Sequence, residues 1–231
     1  MDNLFIKEVK LERERVPDFG KYPFDIPVIS QLESIPFTKP ITFLVGENGS
    51  GKSTLIEALA VCMDLSAEGG SRNMRYETLN TTSTLHEYLK ITKSGLRPIW
   101  KFFLRAESFY TMANDFERYK IVSWHQQSHG EAFLDIIEHW PEKGLYLMDE
   151  PESALSPKNQ MRLLSIIHHH AQNGSQFIIA THSPILLSYP HAEIKDVNNN
   201  LSPIDYRDTE VYQTYRLFLD SPERMHHHLF D

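Results

Sequence analysis

The chain has 231 residues, 41% hydrophobic and 23% charged, which fits one large α/β domain with a real core rather than a disordered or low-complexity protein. A formal net charge of −8 counts against a broad sequence-independent nucleic-acid surface, which needs Lys and Arg to neutralise phosphates. No apolar run reaches the roughly 20 residues that span a bilayer. The first residues, Met1–Phe5, lack the basic start of a secretory signal. The single cysteine, Cys62, excludes an internal disulfide and reads as a buried, inert thiol, so a reducing compartment, the cytoplasm, is expected.

Leu4, Ile6, Val9 and Leu11 nearly alternate with polar residues, which predicts an edge strand. Pro17, Pro23, Pro27, Pro36 and Pro40 then predict short strands and turns rather than helix. Ile41–Val45 is a compact apolar run of the kind a fully buried strand uses. A helix is predicted from Lys52 to about Met63, and Gly69-Gly70 breaks the chain. The stretch from about 65 to 130 is expected to be a helical insertion, with helices near Leu85–Lys90 and Ala106–Tyr119 flanking a strand at Ile99–Leu104. Within it Lys90, Lys93, Arg97, Lys101 and Arg105 make a basic run, read as a solvated face; a local nucleic-acid patch is the other reading.

Phe133, Ile136, Ile137 and Trp140 have helical spacing over Gly130–Trp140. Leu145–Met148 is a second buried strand. Ser156 as N-cap and Pro157 at the first position open a helix to about Ala171, which Asn173-Gly174 stops. Phe177–Ala180 is a third buried strand. Short strands at Glu193–Val197 and Pro203–Tyr206 and a final helix over Thr209–Leu219 complete the chain. Strands alternating with helices predict a mainly parallel α/β sheet in a single domain spanning 1–231.

Gly46-Glu47-Asn48-Gly49-Ser50-Gly51-Lys52-Ser53 fits G-x-x-x-x-G-K-[ST] between a buried strand and a helix. The glycines let the backbone turn tightly against phosphate oxygens, and the loop amides and helix N-terminus favour an anion. Lys52 supplies charge for the β- and γ-phosphates and Ser53 a hydroxyl for Mg²⁺. Glu47, Asn48, Gly49, Ser50, Gly51, Lys52, Ser53 and Thr54 are therefore the candidate nucleotide contacts. The bland alternative is a glycine-rich turn with no ligand. Downstream, the strand Leu145–Met148 runs into Asp149-Glu150. Ligands of parallel sheets sit beyond the carboxyl ends of the strands, so Asp149 is placed to hold Mg²⁺ and Glu150 to polarise a water.

Asp149-Glu150-Pro151-Glu152-Ser153-Ala154-Leu155-Ser156 resembles the Walker B motif and D-loop of ABC-type ATPases. Ala180-Thr181-His182-Ser183-Pro184 is similar to their switch-histidine segment, and Gln127-Ser128-His129-Gly130-Glu131 stands where they carry a signature loop. The chain also resembles stand-alone bacterial "predicted ATPases" of the AAA/ABC class, through Tyr22–Pro27, Phe103–Phe109 and Pro222-Glu223-Arg224. The resemblance implies a P-loop NTPase fold of ABC-ATPase type with an N-terminal antiparallel β part. It also implies ATP and Mg²⁺ as cofactors, and a homodimer that sandwiches ATP so that Ser128 and Gly130 of one copy complete the site of the other. His182 would contact the γ-phosphate.

Two departures stand out. The signature carries His129 and Glu131 in place of glycine and glutamine, and no glutamine fills the Q-loop. Glu107 is the candidate in its place, as a further ligand for Mg²⁺ or water. Helix capping is the alternative for Ser128–Glu131. Tyr22 and Phe24 are candidates to stack on adenine or to serve the core. Arg72 and Arg75 are candidates to touch nucleotide or a partner. His168–His170 and His226–His228 make poor single metal sites, because adjacent helical residues point apart.

Overall fold

The structure, a computed structural model, describes residues 4–71, 83–105 and 129–230. In chain order the first part gives β1 (Ile6–Leu11), α1 (Pro27–Ser30), β2 (Ser34–Pro36), β3 (Ile41–Val45), α2 (Lys52–Cys62), β4 (Gly70–Ser71), β5 (Leu89–Lys93) and β6 (Lys101–Arg105). The second part gives α3 (His129–Glu138), β7 (Leu145–Asp149), α4 (Pro157–Gln172), β8 (Gln176–Ala180), α5 (Pro184–Leu187), β9 (Glu193–Asp196), β10 (Ser202–Pro203), α6 (Glu210–Asp220) and α7 (Pro222–Phe230).

Seven strands form one sheet in the order β10-β9-β3-β8-β7-β6-β4. The five strands from β9 to β6 are mutually parallel, and β10 and β4 are antiparallel edges. Strands β3, β7 and β8 are buried at every position, as a parallel sheet covered on both faces requires. Side chains alternate across it. Phe43, Tyr146, Met148, Phe177 and Ile179 pack under α3 and α4. Leu44, Leu145, Leu147, Ile178 and Ala180 pack under α2 and a second, three-stranded antiparallel sheet, β2-β1-β5.

Gln176 ties the two sheets together. Its fully buried side chain accepts from the amides of Phe5 and Ile6 at 2.8 and 2.9 Å and donates to the Ile6 carbonyl at 2.9 Å. The amide thus behaves as one more backbone unit pairing with β1.

Several expectations need correction. β1 is the centre of its sheet, not an edge, because β5 returns from over 75 residues away to pair with it. The expected helix near 85–90 is a 3₁₀ turn at Thr84–Tyr88 that runs straight into β5, where Leu89 turns inward and Lys90 outward. Pro27 opens a one-turn helix in the proline-rich stretch, at the first position where a missing N–H costs nothing. The chain continues past 219 into α7, and β10 is only two residues long before a 3₁₀ turn at Tyr206–Asp208. In the basic run, Lys90, Lys93 and Arg97 are exposed, whereas Lys101 bonds Asp64 at 3.0 Å and Arg105 lies 3.6 Å from Glu57. Cys62 is half-buried, and burial pushes its thiol up to about 11, so it is unreactive. The expected helix at 106–119 lies outside the described residues.

Candidate active site

Three adjacent parallel strands, β3, β7 and β8, end at one edge of the sheet, and each delivers part of the site. After β3 the chain turns through Gly46–Gly51 into α2. Gly51 has φ +101°, and a Cβ there would lie 2.8 Å from Ile26 and 3.0 Å from Val28, so the turn demands glycine twice over. The Glu47 amide donates to Asn198 Oδ1 at 3.3 Å, anchoring the loop to the segment after β9. Lys52 is 4% exposed, and its Nζ donates to the carbonyls of Gly46 and Glu47 at 2.8 and 2.9 Å. Burial lowers its pKa, and the carboxylates of Glu150, Asp149 and Glu152 oppose that.

At the end of β7, Ser53 Oγ donates to Asp149 Oδ1 at 3.1 Å. Burial pushes the Asp149 carboxyl up to about 6, against the Ser53 hydroxyl and the Arg105 charge. The next residue, Glu150, has left-handed backbone angles (φ +49°, ψ +52°), uncommon for a residue with a side chain. Its amide bonds the Ala180 carbonyl at the end of β8, at 2.9 Å. That twist leaves Glu150 Oε1 3.7 Å from Nε2 of His182, beyond hydrogen-bond range. Nε2 is buried and without a hydrogen-bond partner among the described residues. Burial first, then the Lys52 charge, lowers the His182 pKa, with Glu150 and Glu210 opposing.

Lys52, Ser53, Asp149, Glu150 and His182 are thus brought together. Glu107, Ser128, Arg72 and Arg75 lie outside the described residues, while the backbone of Gly130 belongs to the first turn of α3. Of the aromatic candidates, Phe24 is core, packed edge-on against Phe19 and Tyr88, and Tyr22 is 61% exposed. The histidine runs do not form a metal cluster among the described residues. His168 bonds the Tyr189 hydroxyl at 2.8 Å, His169 faces Glu142 at 3.4 Å, and His170 is buried beside Tyr146.

Sequence reasoning missed two features. Glu152 accepts the His182 amide at 2.5 Å. A cleft of about 670 Å³ opens beside the loop, between Glu47, Asn48 and His182 on one side and Asp196, Asn198, Glu210 and Tyr215 on the other. Lys52, Ser53 and Asp149 are not among its walls, so it lies on the β9 side of the phosphate-loop chemistry. Neither feature has a local sequence signal, since both join residues far apart in the chain.

The family model described as "AAA domain, putative AbiEii toxin, Type IV TA system" matches residues 41–125 and 112–188, which include the loop, Asp149-Glu150 and His182. The chain belongs to this AAA-domain family. It is a P-loop ATPase domain of the AAA class. No curated protein matches the AAA domain's sequence. Among solved structures, the SMC head domain from Thermotoga maritima superposes with a TM-score of 0.49 at 17% identity, over 84% of this chain and 94% of that one. An inward-facing conformation of a putative metal-chelate type ABC transporter gives 0.44 at 15% identity, over 82% of each chain. No helix among the described residues is long and apolar enough to cross a membrane.

Proposed function

We propose that this AAA domain hydrolyses ATP to ADP and phosphate in a Mg²⁺-dependent reaction, as a homodimer with ATP held between two head-to-tail copies in the cytoplasm. The observation that supports this best is the convergence of a buried ammonium, a serine hydroxyl, two carboxylates and an imidazole at the ends of three neighbouring strands.

The loop from Glu47 to Thr54 binds the phosphates through its amides, with Lys52 exchanging two loop carbonyls for β- and γ-phosphate oxygens. The residues fit a magnesium ion: Ser53 Oγ and Asp149 Oδ1 are hard oxygen donors side by side, and Glu107 is the candidate for a further ligand. When bound, Mg²⁺ neutralises charge that develops on the β- and γ-oxygens. Glu150 orients a water for attack on the γ-phosphorus and accepts its proton. His182 donates from Nε2 toward the γ-phosphate, which suits a nitrogen with no partner among the described residues. Ser128 and Gly130 of the second copy close the open side of the phosphate and exclude water.

One sequence observation favours a second reading, a nucleotide-gated binding module or partner subunit with little turnover. His129 and Glu131 depart from the usual signature, and the Q-loop lacks glutamine. Steady-state phosphate release separates the two. Glu150→Gln is expected to lower kcat by at least about 100-fold while retaining nucleotide, and Lys52→Ala to lose nucleotide affinity. Equal, negligible rates in wild type and Glu150→Gln leave the binding module standing. Unchanged nucleotide affinity in Lys52→Ala sinks both.

A further inference from the structure

Glu152 lies in the 3₁₀ turn Pro151–Ala154, two residues beyond the proposed base. Oε1 of its carboxylate accepts the His182 amide at 2.5 Å, and Oε2 is buried with no hydrogen-bond partner among the described residues. Burial of a carboxylate is unfavourable unless donors hold it in place; here the His182 amide is the first of them, followed by its own amide and the Thr181 hydroxyl. Around it, the turn after β7 and the turn after β8 are laced together. The Glu150 amide bonds the Ala180 carbonyl at 2.9 Å. Ser183 Oγ donates to Gln160 Oε1 at 2.6 Å, and Gln160 Nε2 donates to the Leu155 carbonyl at 3.0 Å.

Within this lacing Nε2 of the His182 ring is buried with no hydrogen-bond partner among the described residues. That nitrogen lies 3.7 Å from Glu150, while the His182 backbone amide is held by a hydrogen bond. The Glu152 bond is the side-chain contact made to that backbone amide, and it originates on the same turn that carries Glu150.

We propose that Glu152 is a positioning residue, which holds His182 in register with Glu150 by capturing the His182 amide. The proposal rests on the hydrolysis reading for its kinetic consequence but not for the contact itself.

A double-mutant cycle tests the role. Glu152→Ala is expected to lower kcat about tenfold or more with nucleotide affinity unchanged, an effect in the range of a misplaced catalytic group. Glu152→Gln, which keeps a carbonyl oxygen acceptor, is expected to recover activity to within about threefold of wild type. In a His182→Ala background, Glu152→Ala is expected to add nothing further, because the residue it positions is gone. Full additivity, or a glutamine variant as slow as the alanine one, overturns the proposal. Should Glu152→Ala not fold, Glu152→Asp, shorter by one methylene, carries the same cycle. The contact is read separately in the full chain by NMR. The His182 amide proton is expected far downfield in wild type and shifted upfield in Glu152→Ala. An unmoved amide resonance overturns the proposal even if the wild type proves to have no turnover, whereas a moved resonance with no turnover sinks only the hydrolysis reading.

Discussion

Asp149 is 6% exposed at the end of β7, and burial holds its carboxyl near 6 against an ordinary value of 3.8. Because folding raises this pKa, the group favours the folded state below about pH 3.8, and that contribution is lost as pH rises through about 6. At pH 7.5 the ionised carboxylate is a local destabilisation that a bound cation relieves. Asp149→Asn is therefore expected to raise the unfolding free energy at pH 7.5 by about 1–2 kcal/mol in urea titrations, with the gain vanishing near pH 4. The same variant is expected to lose Mg²⁺-dependent nucleotide affinity, and the wild type to lose it as pH falls below about 6. A variant less stable at pH 7.5 than wild type contradicts this account. Glu150 adds backbone strain of the order of 1–3 kcal/mol through its left-handed angles, the kind of cost that sites of chemistry retain. Lys52, Ser53, Asp149 and Glu150 were picked out in the chain because each sits at a fixed offset from a strand end, and His182 through the family resemblance. Glu152 was not, since its partner amide lies 30 residues away and no spacing rule connects them.

Among the elements, the buried strands were legible because an uncharged five-residue run with four apolar residues has few other places to go. The helices were legible from their caps, such as Ser156, whose hydroxyl accepts the Asn159 amide at 3.3 Å. β5 was not legible: Leu89, Lys90, Ile91, Thr92 and Lys93 carry too short an alternation, and what makes them a strand is the row of β1 partners opposite. β1 was taken for an edge for the same reason. The clearest energetic consequence of that pairing is at Gln176. Replacing it with leucine leaves two buried amides and one carbonyl of β1 without partners. Gln176→Leu is expected to cost about 2–4 kcal/mol, given the net loss when buried groups are left unpaired. Chemical denaturation measures it, and a cost below about 0.5 kcal/mol would show that the two sheets are joined by apolar packing alone.

For the whole molecule, the proposed dimer makes an expectation that no single copy can meet. Glu150→Gln with MgATP is expected to double in mass by light scattering and to return to monomer when nucleotide is removed. Ser128→Arg, which places a bulky cation where the second copy would approach, is expected to abolish the doubling while each copy still binds ATP. A monomer in both cases leaves nucleotide binding intact and removes the sandwich. Taken alone, the sequence determined the family and marked out its phosphate loop and strand-end carboxylates, because such glycines, a lysine and paired acids are local patterns whose physics lies in a few consecutive residues. Tertiary structure alone decided which strand lies centrally, how Gln176 joins the sheets, that Phe24 belongs to the core, and that Glu152 reaches His182. Those facts depend on pairing and packing between segments tens to hundreds of residues apart, and burial, not local preference, selects among them.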